Sequence, residues 1–159
     1  MRSRICFVLL LACFFATACS ASEVGYAVGP KEFLGLSEAC SPVGGEGPMG
    51  IPPGHIVLEA GEAIEIVDFV VSSSIADYSV GLATSGFYPG DFRPVDSEQD
   101  MLFSPSFPLE GPGEWVIVIV VRSLDDPGLI ELQQVNYRLD GATYRNDKSF
   151  QFTLEETCF

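Results

Sequence analysis

Side chains able to do covalent or metal chemistry are few in this chain. It holds one histidine, His55, and five cysteines, Cys6, Cys13, Cys19, Cys40 and Cys158. A copper centre or a multi-histidine zinc centre cannot be assembled from a single imidazole. A Ser or Cys nucleophile needs a neighbouring base to take its proton. No Gly-x-Ser-x-Gly turn is present to present such a serine, and His55, read at the start of a strand, is expected to be a surface or capping residue. Gly44-Gly45-Glu46-Gly47 lacks the Lys and Ser/Thr with which a phosphate loop holds its anion. The 22 acidic residues are numerous enough to give chance pairs within about 10 Å, so no glycosidase pair stands out. One arrangement suits a hard cation: Asp91, Asp96, Glu98 and Asp100 place carboxylates along one stretch, and calcium takes about six to eight oxygens. That stretch has no Asp-x-Asp-x-Asp-Gly core, and it reads equally as a solvated acidic segment. No catalytic residue and no cofactor is assigned.

The N-terminus is more specific. Arg2 and Arg4 precede the uncharged run 5–18, shorter than the ~20 residues a spanning helix needs and suited to an export signal. It ends in Ala16-Thr17-Ala18-Cys19, and small residues before a cysteine resemble the lipobox of bacterial lipoproteins, with Ala16 standing where that family usually has Leu. The resemblance covers the signal alone. It implies that residues 1–18 are cleaved, that the Cys19 thiol carries diacylglycerol, and that acyl chains such as palmitate attach the mature chain to the cell membrane or the outer membrane, on the extracytoplasmic side. The alternative is an ordinary secretory signal cut after Ala18 or a few residues later.

Cysteine parity agrees with lipidation. With Cys6 and Cys13 removed, an odd set of Cys19, Cys40 and Cys158 remains for an oxidising compartment. If lipid consumes Cys19, Cys40 and Cys158 form one disulfide that clips the two ends of the domain together; the rival is a free or intermolecular Cys19 thiol.

Removing Arg2 and Arg4 leaves six basic residues against 22 acidic ones, a net charge of −16 for residues 19–159. Lys31, Arg93, Arg122, Arg138, Arg145 and Lys148 are scattered singly, so no basic patch exists to neutralise phosphates, and nucleic acid is excluded as a partner. Anionic headgroups are excluded by the same sign, which leaves acyl chains as the route to a membrane.

The elements that must position these residues are strands. After a tether at 19–32, residues 33–159 read as one all-β domain. Nine of the fourteen residues 41–54 are Gly or Pro, which predicts a loop. Runs at 55–59, 63–72 and 77–83 read as strands of a meander, rich in Ile and Val or alternating. Residues 84–113, broken by five prolines, read as a long connection with one short edge strand at 101–103. The run 115–121 is apolar on both faces, as a central strand must be, with Glu114 and Arg122 as charged guards at its ends. Phe87, Tyr88, Phe92, Phe103 and Phe107 are expected to cover its second face. Asp140-Gly141 predicts a type I′ hairpin turn after the strand 130–139, and 149–155 alternates Phe150, Phe152 and Leu154 inward. About seven strands with turns between them describe an antiparallel β-sandwich, immunoglobulin-like in the broad sense.

The expected function is a non-enzymatic binding or assembly module of the cell envelope, working through the loops 41–54 and 84–113, since loops on rigid sandwiches carry function. Its partner, a protein or an envelope polymer, is not named by any residue. Alternatives are an accessory subunit of an exported complex and a carboxylate-dependent envelope hydrolase.

Overall fold

Alternation of apolar and polar residues builds the strands at 107–110, 128–139 and 150–155, whereas the run 116–121 is buried throughout. The computed structural model describes residues 34–35, 37–84, 86–88, 90–95, 101–103, 106–146 and 149–158. The strands are β1 (Leu34–Gly35), β2 (Glu38–Pro42), β3 (Met49–Leu58), β4 (Ala63–Ser73), β5 (Tyr78–Ala83), β6 (Arg93–Pro94), β7 (Met101–Leu102), β8 (Phe107–Glu110), β9 (Gly113–Val121), β10 (Gly128–Leu139), β11 (Ala142–Asn146) and β12 (Phe150–Glu155). They form two sheets, mostly antiparallel, packed as a sandwich. The first runs β1-β3-β9-β5-β7 with β6 also on β3, and the second runs β2-β12-β10-β4-β8 with β11 also on β10. Among the described residues twelve strands stand against the expected seven, because several of the added ones are two to five residues long and sit on edges.

The expected meander of β3, β4 and β5 is not formed. β3 and β5 flank β9 in the first sheet, whereas β4 lies between β10 and β8 in the second. Local alternation shows which side chains point inward but not which strand supplies the hydrogen bonds, and the apolar β9 takes the facing edges of both β3 and β5.

The loop expected at 41–54 is a second correction. Ser41 and Pro42 belong to β2, and Met49 to Gly54 form the first half of β3. Pro52 and Pro53 are tolerated because they fall in a register shift between Ile51 and Gly54, opposite Ile119 and Ile117 of β9, where the ladder does not require each N–H. Only residues 43–48 turn.

The main core lies between the sheets, with Ile56, Ile66, Leu82, Ile119, Ile130, Tyr137 and Phe152 fully buried. β9 is buried on both faces from Val116 to Val121. Its outward residues Val116, Val118 and Val120 form a second cluster with Ala83, Val95 and Met101, covered by Phe87 and Phe103. The two rings occupy glycine notches. A Cβ at Gly50 would strike the Phe87 ring, and one at Gly81 would lie 2.7 Å from Phe103, so glycines on the strands flanking β9 are what let the roof settle.

Of the five aromatics expected to roof β9, two do. Phe92 and Phe107 enter the main core instead, Phe92 edge-on to Phe152 with centroids 6.4 Å apart, and Tyr88 is 71% exposed. The Asp140-Gly141 turn forms as expected, with φ of 51° and 81°. Cys40 on the edge strand β2 is bonded to Cys158, beyond β12, across 118 residues of sequence, with Cα atoms 5.8 Å apart.

Edges are blunted by proline. β2 pairs with β12 in parallel, and the bonds Gln151 N–H to Ser37 O and Val43 N–H to Glu155 O place the odd-numbered residues toward β12, so Pro42 faces outward. Gly111 N–H donates to Glu62 O and Val95 N–H to Pro48 O, which by alternation turns Pro108 of β8 and Pro94 of β6 away from their partner strands. Each proline removes an outward donor that could template another chain.

Candidate functional site

Parts of both stretches that the sequence singles out, residues 43–48 and 86–95, come together at one end of the sandwich. β3 starts and β9 ends there, with Met49 opposite Val121, and β5 starts there, with Tyr78 opposite Val121. The turn 43–48 is tied to the segment 122–127 by Gly44 N–H to Leu124 O, 2.7 Å, and to β12 by Val43 N–H to Glu155 O, 2.8 Å. Leu124, 2% exposed, anchors this end in the core. Beside it Arg122 N–H donates to Asp77 O, and its guanidinium reaches Asp77 at 3.4 Å and Ser79 Oγ at 2.9 Å.

The segment 86–95 joins the same end through β6, where Arg93 pairs with Gly50 and Pro94 with Met49. Asp91 N–H donates to Tyr88 O at 2.9 Å and Gly90 has φ of 87°. That is the i to i+3 bond of a turn with positive φ at its third position, which glycine accepts without strain. Arg93 stacks over the Phe87 ring at 4.9 Å and lies 3.7 Å from the Asp91 carboxylate. Phe87 in its glycine notch thus fixes one side of a turn whose next residue, Tyr88, stands in solvent. Glu46, Asp77, Asp91, Asp125 and Asp126 are exposed on the loops of this end. The arrangement sets an exposed aromatic, Tyr88, among exposed carboxylates.

His55 is not at a strand start. It lies within β3, opposite Val116 of β9, with a side chain 18% exposed and Nδ1 3.0 Å from Glu114 Oε1. Neither ring nitrogen makes a hydrogen bond of good geometry, so the contact with Glu114 is one of distance, an ion pair only when the ring is protonated. Sequence reading missed it because Pro52-Pro53-Gly54 hides the strand that carries His55 past its start. Glu114, expected as a charged guard, is at the diagonal position that this register creates.

Asp96, Glu98 and Asp100 lie outside the described residues, as does Cys19, and Asp91 is engaged with Arg93. Among the described residues no group of three His, Cys, Asp or Glu side chains could hold a metal ion.

The outward face of the second sheet is polar and largely satisfied by its own cross-strand pairs. Arg138 of β10 faces Glu65 of β4 in register and bonds it, Ser106 donates to the same carboxylate, and Asn136 donates to Asp68. The Ser106 hydroxyl above all holds the Glu65 carboxyl below its ordinary 4.5; burial, the next effect, opposes it, and the Arg138 charge and hydrogen bond add to the lowering. A carboxyl lowered on folding contributes stability that is present above its unfolded value and is lost as pH falls through its folded one. Glu65→Gln is therefore expected to flatten the acid side of the stability–pH curve below about pH 4.5 and to leave the neutral range nearly unchanged, read from urea midpoints across pH. Inside, burial first and then the neighbouring Tyr144, stacked at 5.7 Å, push the Tyr137 phenol above its ordinary 10.0. Between β2 and β12 the second sheet also carries a cleft of about 400 Å³, lined by Glu38, Ala39, Cys40, Gln151, Thr153 and Glu155 beside the disulfide.

Among the described residues no helix is long and apolar enough to cross a membrane. Comparison with protein-family models, with curated proteins and with solved structures finds no match to this chain.

Proposed function

We propose that this protein is a lipid-anchored, extracytoplasmic β-sandwich of the bacterial cell envelope, and that it is a binding or assembly module without catalytic activity. The anchor is the acylated Cys19, and the working surface is the loop end that carries Tyr88. One observation supports this above the rest: the segments 43–48 and 86–95, far apart in sequence, are held side by side at one end by hydrogen bonds to the framework, with an exposed aromatic on the turn. Rigid aromatic residues are the side chains that most often supply binding energy at interfaces, and a turn fixed before binding loses little entropy on contact.

The accessory-subunit reading is supported by a smaller observation, Leu102, 45% exposed on the two-residue edge β7.

The test separates anchor from surface. Cys19→Ser is expected to move nearly all of the protein from the membrane to the soluble fraction, and retention in the membrane would show that the anchor assignment is wrong. In cells with the anchor intact, Tyr88→Ala together with Asp91→Asn is expected to abolish crosslinks formed by wild type. Crosslinks of unchanged pattern and yield would exclude the loop end as the contact.

A further inference from the structure

β4 is longer than the strand that covers its far side. β8 pairs with it only from Ala63 to Ile66, so the edge from Val67 to Ser73 has no partner strand among the described residues, and it contains no proline. Ser74 N–H donates to Leu129 O, and Ser73 stands opposite Ile130. By alternation the backbones of Val70 and Ser72 face β10, and those of Phe69, Val71 and Ser73 face the open side. The other edges differ. β2, β6 and β8 each turn a proline outward, β1 and β7 are two residues long, and on β11 Arg145 and Asn146 are already engaged.

The core behind this edge is incompletely covered. Phe69 and Val71 pack against the main core, as do Tyr78 and Val80 of β5, and all four are only partly buried. β5 lies on the same flank of the first sheet, where β7 pairs with it only at Leu82 and Ala83. Each sheet therefore ends one strand early over the same part of the flank, and apolar side chains fill the gap between them.

The residues of the edge select its occupant. Positions 66–75 carry a single charge, Asp68, whose carboxylate already accepts from Asn136. A partner chosen by charge finds nothing to recognise there, and in a chain whose residues 19–159 carry net −16 it is a stretch where two copies repel little. Antiparallel pairing of the edge with itself about Val70 sets Phe69 opposite Val71, Asp68 opposite Ser72 and Val67 opposite Ser73, so that apolar residues meet across the inward face and no charge meets its like. Backbone direction agrees with this register, because Phe69 and Val71 are residues whose N–H and C=O face outward and which such a pairing joins by two hydrogen bonds.

We propose that the free edge of β4 pairs with the same edge of a second copy of this chain, antiparallel, about a two-fold axis at Val70. The contact is isologous. It joins the second sheets of two copies into one continuous sheet, and Phe69 and Val71 of each copy cover those of the other. No residue of the Tyr88 turn takes part, so the pairing stands independently of the loop-end reading.

The test places single cysteines on the outward face of the edge in the full chain. Facing Cα atoms of a non-hydrogen-bonded pair lie about 4.5 Å apart, within the roughly 4.4–6.8 Å that a disulfide spans. Diamide oxidation of Val70→Cys is expected to give a reducible dimer in at least tenfold greater yield than wild type. Ser72→Cys faces position 68 of the second copy and lies about 13 Å from its own twin, at about 3.3 Å per residue. Alone it is expected to stay at the wild-type level, and mixed with Asp68→Cys chains it is expected to crosslink. Absence of a dimer from Val70→Cys overturns the proposal, as does an equal yield from Ser72→Cys alone, which would report collision without register. Crosslinking of Val70→Cys in cells to a different protein, with no self-dimer, overturns the second copy and assigns the edge to a foreign strand. Val71→Pro in the Val70→Cys chain removes an outward N–H that β10 does not use, and is expected to abolish the dimer; an undiminished dimer overturns strand pairing. Should that variant fail to fold, Val70→Lys and Val70→Glu decide: each alone is expected to be monomeric by light scattering and their mixture dimeric, and a mixture that stays monomeric overturns the pairing.

Discussion

Replacing residues 86–100 by a Gly/Ser linker of equal length should abolish cooperative folding. The change strips Phe87 and Val95 from Val116, Val118 and Val120, which are 4%, 0% and 0% exposed beneath them. It also removes Phe92 from its contact with Phe152 inside the main core. Each such side chain is worth about 1.5–3 kcal/mol when fully buried, so the three together reach about 4–9 kcal/mol at most. Domain stabilities are about 5–15 kcal/mol in total. Loss of near-ultraviolet circular dichroism with gain of dye binding is the expected outcome. A variant that unfolds cooperatively at an unchanged urea midpoint would mean that the segment is not part of the core. This also explains why deletion is a poor test of binding here: the stretch that presents Tyr88 is the stretch that covers β9, and only point changes such as Tyr88→Ala separate the two roles.

The disulfide should have the next largest effect. Cys40 sits on an edge strand held by one parallel pairing with β12, and its bond to Cys158 closes a sequence separation of 118 residues. Chain entropy alone assigns a loop of this size about 4–5 kcal/mol, and native disulfides of secreted domains are typically worth about 2–5 kcal/mol. The double change Cys40→Ala and Cys158→Ala is expected to lower stability by that amount in urea. Wild type treated with reductant should fall to the same midpoint, and the double variant should be indifferent to reductant. A midpoint unaffected by reductant in the wild type would show that strand pairing holds β2 without the covalent link.

The inward set of β12, Phe150, Phe152 and Leu154, was legible because period-two alternation with one buried face leaves a single register open to the strand. β9 was legible as a central strand because seven consecutive apolar residues cannot have a wet face. The candidate site was legible only in part. Residues 84–113 stood out by length and proline content, yet nothing in the local pattern distinguished Phe87, which roofs β9, from Phe92, which enters the other core, or from Tyr88, which enters neither. His55 was misplaced because a Pro-Pro-Gly run looks like a loop unless the opposite strand is known to accommodate a register shift there.

Sequence by itself determined what depends on neighbours in the chain: the all-β class, the hairpin at Asp140-Gly141 and a strong excess of acidic side chains, while it offered Cys40 and Cys158 as a pair only on the condition that Cys19 is consumed. Tertiary structure alone decided which sheet receives each strand, that β4 leaves its sequence neighbours for β10, and that glycines at positions 50 and 81 seat the roof. The reason is the range of the interactions. Turn geometry and side-chain alternation are set within a few residues, whereas strand partnership is decided by contacts tens of residues apart that gain their energy only when both faces of β9 are covered at once.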